Sequence, residues 1–222
     1  MSGDAASLSD DAFDAALIAA ALDMAADQGW RAVSVAAAAR SAGLSLARTR
    51  ARFPSRHAIL LGLGRMADQA VLAEVPVQGS VRDRLFDLLM RRIDAFQQHR
   101  AGVVAILRAL PADPTTALML ACATRRSMRW MLEAAEVPAS GLMGELRVRG
   151  LVAVWLWTVR AWERDDSQDL SATMAALDTA LMRAEQFAQW RPGRSDAGVN
   201  DVSDPGADGG ADATPGGQEA PT

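Results

Sequence analysis

The sequence predicts an all-α protein of about nine helices in two parts, and three observations predict it. Half of the 222 residues are hydrophobic, yet aromatics make up only 5% and Tyr is absent, whereas sheets draw heavily on aromatic and β-branched residues. Apolar residues recur at spacings of three and four rather than two. Ser, Asp, Pro and Gly stand where such periodic stretches begin and end.

Ser9 followed by Asp10 and Asp11 opens the first helix, with a capping hydroxyl and two acids at the positive end of the dipole. Phe13, Leu17, Ala20, Ala21 and Met24 then keep helical spacing until Gly29 stops it. Ser34 is placed to cap a short helix, Val35 to Ser41, ending at Gly43. Ser45 is placed to cap the next, Leu46 to Phe53. Pro54 and Ser55 break the chain and restart it as a longer helix carrying Ile59, Leu60, Leu63 and Met66. Helix, short helix, glycine turn, short helix, long helix is the layout of a helix-turn-helix headpiece. It spans residues 10–66, with 1–9 as a flexible N-terminus.

Ser80 opens "VRDRLFDLLMRRIDAF", with Leu85, Leu88, Leu89 and Ile93 on one face. "AGVVAILRAL" reads as a short apolar helix. Asp113 and Pro114 begin a helix to about Ala135, Ser140 another to about Arg164, and Asp166 or Ser167 the last, to about Trp190. Residues 67–190 thus form a larger helical domain, read as the ligand-binding and dimerisation part. Residues 191–222 are rich in Gly, Pro, Asp and Ala, with little apolar surface to bury, and are expected to be a disordered acidic tail.

All 23 basic residues are Arg, and their distribution is uneven. Residues 1–27 carry six acids and no base, residues 28–67 seven Arg and no acid. A strongly positive block inside an acidic protein points to an anionic partner. Cys122 is the single cysteine. No intramolecular disulfide is possible, and its apolar surroundings "LMLACATRR" predict a buried, inert thiol. The N-terminus lacks the basic start and apolar core of a secretion signal. "GLVAVWLWTV" is too short to span a bilayer and is flanked by Arg149 and Arg160. A cytoplasmic protein without a membrane span is expected.

Inside the positive block, "SLARTRARF" places Arg48, Arg50 and Arg52 at every second position. On a helix Arg48 and Arg52 lie together and Arg50 is thrown to the far side. A merely solvated face is the plain alternative. Against it stand the preceding glycine turn, the lack of acids between Asp27 and Asp68, and Arg56 just beyond. Guanidinium pairs in fork geometry with phosphate or with guanine edges.

"AGLSLARTRARFPSRHAIL" resembles the helix-turn-helix of TetR-type transcriptional regulators. Ala42, Gly43, Ser45, Phe53 and Ser55 match that pattern, and Leu44, Arg56 and Ile59 are conservative replacements. The match covers roughly residues 12–65. The resemblance implies double-stranded DNA as partner, repression relieved by a small molecule, and contacts from Ser45, Leu46, Arg48, Arg50, Arg52 and Arg56. Arg48 and Arg52 are expected to read bases. Ala47 and Thr49 depart from the pattern. "WERDDSQDLSATMAALDTALMRAE" resembles the end of some TetR-type proteins. It is also similar to lipid-binding proteins of ubiquinone biosynthesis that share the fold, and their role is the alternative function. Those proteins usually end in an amphipathic membrane helix, which the acidic tail here is not.

Val148, Leu151, Val152, Trp155, Leu156 and Val159 cover more than one side of their helix, so it buries two faces. In the last helix Leu170, Met174, Leu177 and Leu181 form a stripe beside Ala176, Ala180 and Ala184. Both patterns suit either a homodimeric four-helix bundle around Trp155 and Leu177 or one large monomeric core. Met119, Met128, Met131, Met143 and Trp130 suit either an apolar effector cavity or core filling. Met128, Met131, Trp130 and Trp155 are the candidate ligand residues. Asp165 and Asp166 read as a helix-terminus turn. His57 and His99 are too few for a histidine metal site, and no nucleophile triad, phosphate loop or Cys/His cluster is present. No enzyme, cofactor or metal is expected.

Overall fold

A computed structural model describes residues 8–73 and 78–189, and among these every regular element is helical. In the headpiece, α1 (Asp10–Gln28), α2 (Val35–Ser41), α3 (Leu46–Arg52) and the start of α4 (Arg56–Leu72) follow the expected order. The body consists of α5 (Val81–Gln97), α6 (Arg100–Ala109), α7 (Pro114–Ala134), α8 (Gly141–Arg164) and α9 (Ser171–Gln189). Short 3₁₀ turns at Trp30–Ala32 and Leu110–Ala112 follow α1 and α6. Residues 66 and 67 both lie inside α4, so one continuous helix belongs to headpiece and body alike. The expected N-terminal and C-terminal tails lie almost wholly outside the described residues.

Local capping explains most boundaries. The hydroxyls of Ser9, Ser45 and Ser55 accept from the amides of Ala12, Arg48 and Ala58, and Ser80 forms a capping box with Asp83. Ser34 makes no such bond. Gly29 and Gly43 stand at φ +80° and +66°, where a side chain would strain the turn. The last helix begins at Ser171, later than its acids suggest. The reason is Asp165, whose Oδ2 accepts from the Thr173 amide and hydroxyl at 2.7 Å, capping α9 from a distance. Those bonds, with one from the Ser167 hydroxyl first among them, hold the Asp165 carboxyl well below the usual carboxylate range.

Phe13, Leu17, Ile18, Phe53 and Ile59 fill the headpiece core. Burying each such side chain contributes about 1.5–3 kcal/mol. The core continues through Leu88, Leu89, Ile93, Met128, Met131, Trp155, Trp162 and Leu177 of the body. α1 reaches the body directly: a Cβ on Gly102 of α6 would lie 2.4 Å from the Leu22 carbonyl oxygen. Two expectations change here. Cys122 is exposed, because α7 turns Ser127, Met128, Met131 and Leu132 inward and its other faces toward solvent. Trp155 and Leu177 are buried in the chain's own core, so neither is free to meet a second copy. On these two helices the large apolar residues turned outward are instead Leu142, Met143, Leu146, Leu156 and Trp157 of α8, and Met182 and Phe187 of α9.

Candidate nucleic-acid interface

The phase of α3 sorts its residues. Thr49 points into the core, 2% exposed, and its hydroxyl donates to the Ser45 carbonyl at 2.8 Å. A buried hydroxyl needs such an acceptor, and the helix supplies one four residues back. Leu46 and Arg50, four apart, share the exposed face with Ser45 and Ala47 beside them. Arg50 donates to the Pro54 carbonyl at 3.1 Å.

Arg48 and Arg52, also four apart, face α1. Arg52 sets its fork on Asp14, with Nε–Oδ1 at 2.6 Å and Nη2–Oδ2 at 2.8 Å, and its Nη1 lies 2.7 Å from Asp10 Oδ2. Arg48 places Nη2 2.5 Å from Asp10 Oδ1 and donates from Nη1 to the Leu8 carbonyl at 2.9 Å. Its guanidinium carbon lies 4.3 Å from the centroid of the Phe13 ring. The hydrogen bond from Arg48 draws the Asp10 carboxyl below its ordinary value, and the Asp14 hydrogen bond raises Arg52. Folding therefore sets two acids of the negative segment against two arginines of the positive one. The alternation of arginines signalled a split across two faces. It held no sign that the second face would be taken by α1.

Arg56 stands apart from α3, at the junction with the body. Its Nη2 lies 3.5 Å from Asp113 Oδ2 and its Nη1 3.4 Å from the Arg31 carbonyl oxygen. Beside it, the Thr116 hydroxyl donates to Asp113 at 2.7 Å, so the His57 Nε2 at 2.9 Å is the donor to Thr116 Oγ1. Arg31 donates to the Ala112 carbonyl at 2.7 Å. The headpiece is thus latched to the start of α7 by hydrogen bonds as well as by packing.

The four ligand candidates do not share a surface. Met128, Met131 and Trp155 are buried, while Trp130 is 57% exposed, because it sits opposite Met128 and Leu132 in helical phase. Sequence reasoning missed the polar centre of this region. Arg92 of α5 is 4% exposed. It pairs with Asp68 of α4, donates to Ser127 of α7 at 2.7 Å, and lies 5.2 Å from the Trp155 ring of α8 and 5.5 Å from the Phe96 ring. Its Nε has no partner among the described residues, and burial lowers its pKa to about 10. Nothing in "LLMRRIDAF" distinguishes this arginine from Arg91 except phase with Leu85, Leu88 and Leu89. A cleft of about 410 Å³ lies elsewhere, between α1, α4 and the end of α5, lined by Ile18, Leu63, Met66, Ala67, Gln98 and His99 among others. Among the described residues no group of three or more His, Cys, Asp or Glu is placed to hold a metal, and no single helix is long and apolar enough to cross a membrane.

No family model matches the chain, and no curated protein matches it. Solved structures do share its architecture. A TetR transcriptional regulator from Nitrosomonas europaea ATCC 19718 aligns with a TM-score of 0.64 at 22% identity, covering 78% of this chain and 98% of that one. A TetR-family transcriptional regulator from Streptomyces coelicolor aligns at 0.52 and 23% identity, covering 78% and 84%. A TetR transcriptional regulator from Rhodococcus sp. RHA1 aligns at 0.52 and 15% identity, covering 77% and 93%. With nine described helices in this order and a helix-turn-helix at α2–α3, the chain has the fold of TetR-type transcriptional regulators.

Proposed function

We propose that the chain is a sequence-specific DNA-binding transcriptional regulator, a cytoplasmic dimeric repressor that an apolar small molecule relieves. The observation that carries the reading is the outward face of α3. Ser45, Leu46 and Arg50 stand exposed on a short helix whose far side is fixed by Thr49 and Phe53 in the core. A helix so presented enters a major groove, where Arg50 meets phosphate or guanine and Leu46 meets a thymine methyl. Arg48, Arg52 and Arg56 complete the cationic set around it.

Relief by a ligand has a physical route. The His57–Thr116–Asp113 and Arg31–Ala112 bonds transmit movement of α7 to the headpiece. Met128, Met131 and Trp155 pack around the same helices, and the cleft at Met66 touches headpiece and body at once. A molecule that binds one arrangement better shifts the population toward it. Dimerisation uses the apolar residues that α8 and α9 leave outward, Leu146, Leu156, Trp157 and Met182, and sets two α3 helices on successive turns of one duplex face. No observation favours a lipid-binding role in ubiquinone biosynthesis over this one.

The test is binding of the purified protein to the DNA upstream of its own gene in a large excess of unrelated competitor. Retained binding is expected. Loss of the complex to competitor overturns sequence-specific recognition.

A further inference from the structure

Arg48 and Arg52 bring the chemistry that DNA phosphates require, yet both are already engaged. Between them Asp10 and Asp14 present four carboxylate oxygens, and each accepts from one of the two guanidinium groups. Side-chain exposure is 26% for Arg48, 30% for Arg52, 65% for Asp10 and 16% for Asp14. All four side chains keep part of their surface open to solvent, Asp10 most of all.

We propose that Asp10 and Asp14 are affinity-setting residues of the headpiece: they hold Arg48 and Arg52 as an intramolecular stand-in for phosphate, which DNA must displace to recruit either arginine. This rests on the DNA-binding reading above. A carboxylate and a phosphate offer the same pair of acceptor oxygens to a guanidinium fork, so they compete for the same donors. The carboxylates are tethered, which gives them a fixed local concentration that no free duplex matches. They oppose DNA twice over, by occupying the donors and, once displaced, by leaving negative charge beside the strand. Arg50 has no carboxylate partner among the described residues and donates only to a backbone carbonyl. It therefore meets the first phosphate without competition, and Arg48 and Arg52 follow only where the DNA holds phosphates in the right place. The arrangement makes weak non-specific contacts weaker and so favours the correct site.

The experiment compares wild type, Asp10→Asn and the double variant Asp10→Asn/Asp14→Asn, all as full chain, by fluorescence anisotropy on a mixed-sequence duplex. Such a duplex reads the phosphate term without knowledge of the operator. Two freed arginines steepen the dependence of log K on log salt by about 2, and tighten binding about tenfold at about 50 mM salt. Adding Arg48→Ala and Arg52→Ala to the double variant erases that gain. Equal or weaker binding by a double variant that melts like wild type overturns the proposal and makes the pairs a structural clamp only. If the double variant fails to fold, Asp10→Asn alone, at the more exposed carboxylate, carries the test: tighter binding supports the proposal and unchanged binding overturns it. A wild type that binds duplex with variants that do not bind it more tightly sinks this proposal while leaving DNA binding intact. If no form binds duplex even at low salt, the DNA-binding reading falls and takes this one with it.

Discussion

Arg50 and Arg92 carry the same guanidinium into opposite surroundings. Arg50 stands on the open face of α3 with one backbone partner, so its charge is available to a ligand. Arg50→Ala is expected to weaken duplex binding and reduce the salt slope by about 1. A salt titration that shows neither change removes Arg50 from the interface. Arg92 lies inside the body and joins Asp68 of α4 to Ser127 of α7. Removing one partner of a buried pair leaves the other charge stranded, at a cost of about 3–5 kcal/mol. Asp68→Ala should therefore lower the urea midpoint strongly, and Asp68→Ala/Arg92→Met should recover much of the loss. A double variant no more stable than Asp68→Ala would show that the pair is not what makes the single change costly.

At the scale of elements, contacts between helices outweigh intrinsic propensity. α1 is the clearest case, since it packs on α4 and α2 within the headpiece and on α6 of the body. Gly102 permits the close approach of α6 to Leu22. A methyl group there meets backbone rather than a side chain that can rotate aside, so Gly102→Ala is expected to cost about 1–3 kcal/mol through overpacking. The usual helix preference of Ala over Gly has the opposite sign and is smaller. A thermal melt showing Gly102→Ala equal to or above wild type would mean that α6 moves away freely. That result would also weaken any role for α1 in coupling body to headpiece.

For the whole molecule, the pattern of outward apolar residues separates two kinds of substitution. Leu156 and Trp157 are 59% and 56% exposed, whereas Leu177 is fully buried. Leu156→Arg with Trp157→Glu is expected to split the dimer while leaving helix content and melting of the monomer intact. Leu177→Arg places a charge in the monomer core and should abolish cooperative unfolding. Light scattering and circular dichroism together distinguish the outcomes. A wild type that scatters as a monomer at micromolar concentration ends the dimer proposal.

The sequence by itself determined what depends on neighbours along the chain. Serine caps, the glycine at φ +66° and the spacing of apolar residues placed the starts of α1 to α8 within a residue or two, because capping and amphipathicity are local. The helix-turn-helix was legible for the same reason, as was the division of the α3 arginines between two faces. Which partner each face meets was decided only by tertiary structure. Asp10 read as a dipole acid of α1, and Asp14 carried no reading of its own, until folding set them against Arg48 and Arg52, 38 residues away. α9 begins late because Asp165 caps it across a loop. The inward side of α8 and α9 suited a dimer face and a monomer core alike, since an apolar stripe states that a surface must be buried without stating against what. Arg92 in the body core follows the same logic. Phase along a helix sets direction, and only the packing of other helices decides whether that direction leads to solvent, to a partner chain or to a buried carboxylate.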